Sequence, residues 1–488
     1  MPRPDIFFFF SDQHHGRYTG YAGHDVVETP NLDRIAADGT SFGAAYTPCP
    51  LCVPGRSGML TGQLPSRLGI FGNFGIIPSD QATFLHSLGA RGYETVLCGR
   101  MHFKGADQRH GFTRRIFGDV THFYRGGIDG LGHFDGTVGM GGCVDLVGAG
   151  NSPVLEYDRQ VVQRALEYLS EDHDKPQCIV LGTYGPHFPY IAPPELYEYY
   201  RPRVQVPESW DPEGTDPNPV ADSKRQRTRY SRVSEEKEPV TEAVLLGARA
   251  AYMGMITQLD RQIGQVRDAW GEYLERSDRE GLFIYSSDHG DTCGEHGIFG
   301  KQNLYEGGVR VPLVVEGHGV RAGSSSHTPA SIMDIGPTLC ELTGTQPPPS
   351  QDGRSLLPEI TEGAEDPDRP VLSEWVQGWD PTPVPMRAVR RRRWKLICSQ
   401  HSEIEDQLFD LETDPAEVNN RAEDRPEVVA QLENHLEEGW EPERLRSRHR
   451  EQQGHHRLIS AWTNRVRPPE PETWRPPEEA LQWPEIAI

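Results

Sequence analysis

Four apolar runs in this chain each end in polar, chemistry-bearing residues, and no other pattern narrows its fold as far. Ile6–Phe10 leads into Ser11-Asp12-Gln13, and Tyr93–Cys98 into Gly99-Arg100-Met101-His102. Cys178–Tyr184 delivers Gly185-Pro186-His187, and Leu282–Ser287 delivers Asp288-His289. Short apolar runs bounded by turn residues read as strands buried on both faces of a sheet. Helical periods lie between them, at Thr29–Ala36, Ala82–Gly92, Val154–Ser170 and Ala248–Trp270. The alternation predicts an α/β architecture. Open α/β sheets place their sites beyond the carboxyl ends of the strands, so these polar clusters are expected to converge.

A fifth cluster is Cys52-Val53-Pro54-Gly55-Arg56, followed by Leu60-Thr61-Gly62. Cys49-Pro50-Leu51-Cys52 is also a Cys-x-x-Cys, the spacing of a redox pair or of half a zinc site. No second Cys-x-x-Cys accompanies it, and the other six cysteines are scattered. Cys-x-Pro-x-Arg with Leu-Thr-Gly instead resembles the signature of the sulfatase family. In that family the cysteine is oxidised to formylglycine, whose hydrated aldehyde is the nucleophile. One hydroxyl attacks sulfur and the second later expels sulfate, dividing one hard step into two easier ones. An unmodified thiol has no second hydroxyl for that release. Arg56 fits as a fixed cation beside the charge that develops.

The resemblance extends in order along nearly the whole chain. It includes Thr29-Pro-Asn-Leu-Asp33, Gly92-Tyr93-Glu-Thr95 with Gly99-Arg-Met-His102, and Pro186-His187-Phe-Pro189. Ser287-Asp288-His289-Gly290, Gly294-Glu-His-Gly297 with Lys301, and Tyr305-Glu-Gly-Gly-Val-Arg310-Val-Pro-Leu313 follow. Asp334–Leu339 and Leu408–Asn420 complete the set. The resemblance implies an alkaline-phosphatase-like mixed sheet sandwiched by helices, with a smaller C-terminal α+β domain. It implies that Asp12, Gln13, Asp288, His289 and the modified Cys52 hold one divalent metal, calcium first, with manganese or magnesium as alternatives. Arg56 would steady the formylglycine, and Arg100 would add charge beside it. His102 would take the proton from the hydroxyl that ejects sulfate. His187 and Lys301 would serve the leaving group as general acid and charge clamp. A formylglycine-generating enzyme is the implied maturation partner.

Three positions depart from the commonest pattern: Gln13 stands for Asp, His289 for Asn and Arg100 for Lys. The Gln and His variants look like the choline-sulfatase and phosphonate monoester hydrolase branch, and Cys98–Phe112 is similar to choline sulfatases. Tyr305–Arg310 looks more like arylsulfatases and polysaccharide sulfatases. The expected reaction is hydrolysis of a sulfate monoester drawn from choline sulfate, aryl sulfates or sulfated saccharides. The alternative is a phosphonate monoester or phosphodiester hydrolase with the same nucleophile.

A catalytic α/β domain is expected over 1–360, a small α+β domain over 361–445, and a Pro/Trp-rich tail over 446–488 that packs over its own domain, packs over a partner subunit and so joins copies in a homo-oligomer, or is disordered. The smaller domain is expected to hold strands at Val371–Trp375, Arg387–Cys398 and Gln407–Asp410 and a helix from Asp424 to Trp440. Arg125–Asn151 reads as a glycine-rich loop, 201–240 as a surface excursion and Arg390–Arg393 as a solvated strand edge. Trp462, Trp474, Trp483 and Tyr124 are candidates for an aromatic cage around a quaternary ammonium. A net charge of −23 argues against nucleic acid or an anionic membrane as partner, and requires local cations at an anion site. The N-terminal apolar run is too short for a signal segment, and no run is long enough to span a membrane, so the expected location is cytoplasmic.

Overall fold

The computed structural model describes residues 3–124, 144, 146–210, 240–377, 383–402, 404–437, 439–475 and 477. Most of the glycine-rich loop, most of the 201–240 excursion and Trp483 lie outside the described residues.

One sheet of eight strands organises the catalytic core. Its strands are β1 (Asp5–Asp12), β2 (Gly39–Phe42), β3 (Glu94–Gly99), β4 (Arg114–Phe117), β5 (Gln177–Pro186), β6 (Gly281–Ser287), β7 (Leu313–Gly317) and β8 (Ser324–Ser326). The spatial order is β8-β2-β7-β6-β1-β5-β3-β4. β1 runs parallel to β5 and β6, whereas β7 runs antiparallel to β6 and β2, so the sheet is mixed.

β1 lies inside because its side chains alternate between two apolar layers. Phe7 and Phe9 share one cluster with Tyr157 and Val161 of a helix over Pro153–Leu169 and with Ile263 and Trp270 of a helix over Glu242–Ser277. Ile6, Phe8 and Phe10 join Met59, Leu60, Phe84 and Leu339 on the other face. Each fully buried phenylalanine contributes roughly 1.5–3 kcal/mol, which makes this run the axis of the sheet. Its polar end is thereby fixed at the rim, beside the ends of β3, β5 and β6.

A second, antiparallel sheet comprises β9 (Val371–Gln377), β10 (Val384–Arg391), β11 (Trp394–Ser399) and β12 (Gln407–Asp410). The strand expected over Arg387–Cys398 is a hairpin that turns at Arg392, where φ is +52°. A single strand would have left the four arginines unpaired. The turn brings Arg391 and Arg392 to Asp368, and Arg393 to Asp410. Lys395 of β11 ties this sheet to the core, donating to Glu306 at 3.2 Å and Glu417 at 2.8 Å, all three side chains buried.

A helix runs over Pro442–Val466, so the expected boundary at 445 falls inside it. Between Pro442, in the first turn, and Pro468 no proline interrupts the segment. Beyond it the chain folds back on the catalytic core. Trp474 packs edge-on against Tyr157 at 5.1 Å and donates from Nε1 to Gln160. Thr473 bridges Asp119. Among the described residues no helix is long and apolar enough to cross a membrane.

Candidate active site

Cys52 opens a fully buried helix, Cys52–Thr61, laid against the end of β6. A β-carbon at Gly55 would lie 2.8 Å from the Asp288 carbonyl oxygen, so only glycine lets the helix approach this closely. Asn73 steadies the first turn, accepting from the Val53 amide at 3.0 Å, with its Nδ2 3.9 Å from the Cys52 sulfur. Burial and Asp12 push the Cys52 thiol up, but Lys301 and His289 outweigh them and leave its pKa lowered. Lys301 Nζ is 3.1 Å from the sulfur and 3.8 Å from Asp12 Oδ1.

Ligating atoms of Asp12, Cys52, Asp288 and His289 all lie within 4.8 Å of one another. His289 donates from Nδ1 to the Gly290 carbonyl at 3.0 Å, which leaves Nε2 facing the cluster. Burial would lower the pKa of the ring, but Asp288 and Cys52 outweigh it and leave it raised, and a bound cation would take the Nε2 lone pair in place of a proton. That nitrogen is 3.4 Å from the Cys52 sulfur, 3.5 Å from Asp12 and 3.4 Å from Asp288. Gln13, at φ +71°, donates from Nε2 to Asp291 at 2.6 Å. Its Oε1 is left buried without a hydrogen-bond partner. Two carboxylates, an imidazole lone pair and an unsatisfied amide oxygen form a donor set suited to a hard divalent cation. Cys49 lies outside this cluster, its thiol raised by burial, and the described cysteines all carry free thiols. Among the described residues, Cys49 thus takes no part in the group that gathers around Cys52, as half of a zinc site would require.

Arg56 lies between the two carboxylates of the cluster. Its Nε donates to Asp288 Oδ2 at 2.8 Å and its Nη2 to Asp12 Oδ2 at 3.1 Å. The remaining contacts go to the carbonyls of Arg100 and Ser11. With those donors engaged, Arg56 braces the carboxylates rather than Cys52. Burial alone would raise the Asp12 pKa, but Arg100, Lys301, His187 and Arg56 together hold it well below the usual range.

Arg100 donates from Nε to Asp12 Oδ2 and from Nη2 to His102 Nδ1, both at 2.8 Å, and stacks over Tyr184. Its Nη1 makes no hydrogen bond and lies 3.8 Å from Asp119. Because a guanidinium can only donate, His102 Nδ1 accepts and the proton of the neutral ring sits on Nε2, which lacks a partner. Burial and Arg100 keep that ring neutral. His187 has the opposite tautomer. Its Nδ1 donates to the Phe188 carbonyl at 2.6 Å, and burial with Lys301 lowers its pKa well below normal. His102 thus bears its N–H on Nε2, and His187 bears its lone pair there.

The sequence reading missed four supporting residues. Asp291 accepts from Gln13, Tyr190, and the amides of Cys293 and Gly300. Asp119 accepts from the amides of Met101 and His102, and Asp158 from those of Tyr184 and Gly185. Asn73 is the fourth. Only Asp291 carried a signal, an acidic residue three positions past Asp288 at the same strand end. Among the aromatic candidates, Tyr124 and Trp462 meet edge-on at 5.5 Å, whereas Trp474 is buried against Tyr157.

The sulfatase family model matches residues 4–345, and the model of the N-sulphoglucosamine sulphohydrolase C-terminal region matches 294–441. A choline-sulfatase of Rhizobium meliloti is 34% identical over 443 residues, covering 86% of this chain and 83% of that one. Human arylsulfatase K is 28% identical, over 89% of this chain and 81% of its own. Among solved structures, the phosphonate monoester hydrolase of Agrobacterium radiobacter has a TM-score of 0.72 at 22% identity, covering 92% of this chain and 96% of its own. BT4656, solved with D-glucosamine-2-N,6-O-disulfate, has a TM-score of 0.70 at 22% identity, covering 89% and 97%. These two likenesses concern the fold. With the family model spanning most of its length, this chain belongs to the sulfatase family, the hydrolases of sulfuric esters.

Proposed function

We propose that this protein hydrolyses a sulfate monoester through formylglycine formed from Cys52 and one divalent metal, calcium first. The observation that carries the reading is the convergence of Asp12, Cys52, Asp288 and His289 at the head of one buried helix. Asp12, Asp288, His289, the Gln13 Oε1 and an oxygen of the modified residue, for which the Cys52 sulfur stands in, would hold the metal. When bound, the metal supplies Lewis acidity beside the nucleophile, and the hydrated aldehyde supplies one hydroxyl to displace the alcohol and another to release sulfate.

The protein's own groups meet the charge of the ester. Arg100 Nη1 and His102 Nε2–H are buried donors without partners, suited to sulfate oxygens. Lys301, 3.1 Å from the Cys52 sulfur, adds a cation at the reacting centre. His187, held neutral by burial and Lys301 with its proton on Nδ1, would serve the leaving group as an acid only after taking up a proton at Nε2. Arg56 holds Asp12 and Asp288 in place through an ion pair to each.

The test is to express the chain with a formylglycine-generating enzyme and measure sulfate release, together with the mass of the peptide holding Cys49 and Cys52. Conversion at Cys52, with turnover lost in Cys52→Ala and after chelation, is the expected result. Turnover that survives both treatments would overturn the reading. A higher specificity constant on phosphonate monoesters or phosphodiesters than on any sulfate ester would favour the second reading, to which Gln13 and His289 also belong.

A further inference from the structure

One carboxylate ties together three segments of the active site. Asp291, fully buried, accepts through Oδ2 from Gln13 Nε2 at 2.6 Å and through Oδ1 from the amides of Cys293 and Gly300, each at 2.8 Å. The Tyr190 hydroxyl lies 2.8 Å from Oδ2 and 3.0 Å from Oδ1 and closes the shell between them. Hydrogen bonds from neutral groups thus offset the cost of burying this carboxylate, and its orientation is set by where those groups stand. Gln13 follows β1, Tyr190 begins a short strand just past His187, and Cys293 and Gly300 flank the loop that delivers Lys301. Gly300 is gripped on both sides. Asp291 takes its N–H, and its carbonyl accepts from the amide and the hydroxyl of Thr292, both at 2.8 Å. On the far side of Lys301 the Gln302 amide donates to the Pro50 carbonyl at 3.1 Å. Lys301 sits between these two anchors, with Nζ 3.1 Å from the Cys52 sulfur and 3.8 Å from Asp12 Oδ1.

We propose that Asp291 is a positioning residue that couples the metal site to Lys301, so that a cation held by Gln13 also fixes the Lys301 loop. The coupling runs through one side-chain amide. Gln13 Oε1 is buried and unsatisfied, while Nε2 is committed to Asp291. A cation on the oxygen draws electron density from the amide and makes the Nε2 proton a stronger donor. The bond to Asp291 then tightens and holds the carboxylate in the orientation that grips Gly300. Linkage requires the reverse as well: an ordered Lys301 loop favours the cation. The inference rests on the metal reading of Asp12, Gln13, Asp288 and His289 and extends it to the placement of Lys301.

Amide hydrogen exchange on the unmodified protein, read by mass spectrometry without substrate, tests the coupling. Calcium at saturation, verified calorimetrically, is expected to slow exchange across residues 292–301 by about 5–150-fold. Gln13→Ala, saturated with calcium through the remaining ligands, should lose most of that slowing, and so should Asp291→Asn. An Asp291 that only supports the fold would raise exchange equally with and without calcium, and that result would overturn the proposal. Full slowing in calcium-saturated Gln13→Ala would overturn it too. If calcium, manganese and magnesium all fail to bind, the metal reading falls and the coupling with it. Binding without any change in exchange overturns the coupling alone. In the matured protein, Asp291→Asn at saturating calcium is expected to lower kcat about 10–100-fold with a smaller change in KM, and an unchanged kcat would contradict the placement of Lys301. If the native protein turns over no ester, the sulfatase reading has failed and exchange still decides the coupling.

Discussion

Gly55 and Asp288 are pressed together so closely that a β-carbon on the first would lie 2.8 Å from the carbonyl oxygen of the second. This contact seats the nucleophile's helix against the strand that carries a metal-ligand candidate. Gly55→Ala must move one of them. We expect loss of most activity and a stability cost of about 1–3 kcal/mol, the range for overpacking a core. Chemical denaturation alongside a sulfate-release assay checks this, and a variant with unchanged values in both would contradict it.

Arg56 is the shared counter-ion of two buried carboxylates. Removing one partner from such a cluster leaves uncompensated buried charge, at about 3–5 kcal/mol. Arg56→Met should be destabilised on that scale. Arg56→Lys should recover part of the stability, because one ammonium retains the charge but cannot reach both carboxylates with the same geometry. Equal destabilisation in the two variants would show that packing, not charge, is what Arg56 supplies.

Asp291 orients Gln13 by accepting from its Nε2, which turns Oε1 away from Asp291 as the unsatisfied atom. In Asp291→Asn the amide gains an alternative orientation that presents Nε2 instead. Affinity for calcium, titrated calorimetrically into metal-free protein, should fall about 10–100-fold, as for other residues that orient metal ligands. Unchanged affinity would remove Gln13 from the proposed metal set.

His449 is buried beside Phe71 and Phe74, and burial lowers its pKa to about 4. The unfolded chain takes up this proton near pH 6.5, well before the folded protein does. The neutral ring therefore contributes stability fully above that pH and loses it as pH falls toward 4. The stability advantage of the native protein over His449→Gln should shrink by about 1–3 kcal/mol from pH ~7.5 to pH ~4.5. Denaturation curves at both pH values measure it, and an advantage that grows on acidification would reverse the assignment.

Much of the architecture follows from near neighbours in the chain. The Ile6–Phe10 run can be stable only between two apolar layers, and its polar end at Asp12 and Gln13 is then forced to the rim. The same logic carried Arg100, His102, His187 and Asp288 to one end of the sheet. Motif spacing singled out Cys52 and Lys301, which lie 3.1 Å apart despite a separation of 249 positions in the chain. Other features depend on packing that no local pattern encodes. Arg56 could be recognised as a cation, but its partners are set by where the Cys52–Thr61 helix meets β1 and β6. Asp119 and Asp158 act through backbone amides supplied by other segments, which leaves no signature at their own positions. The histidine tautomers depend on single hydrogen bonds, from Arg100 to His102 and from His187 to Phe188. The helix over Pro442–Val466 was hidden by the prolines that follow it. Sequence determined which chemistry this protein could carry, because residue type and short-range period are local. Tertiary structure decided which atoms donate and which accept, because each of those partners arrives from a distant part of the chain.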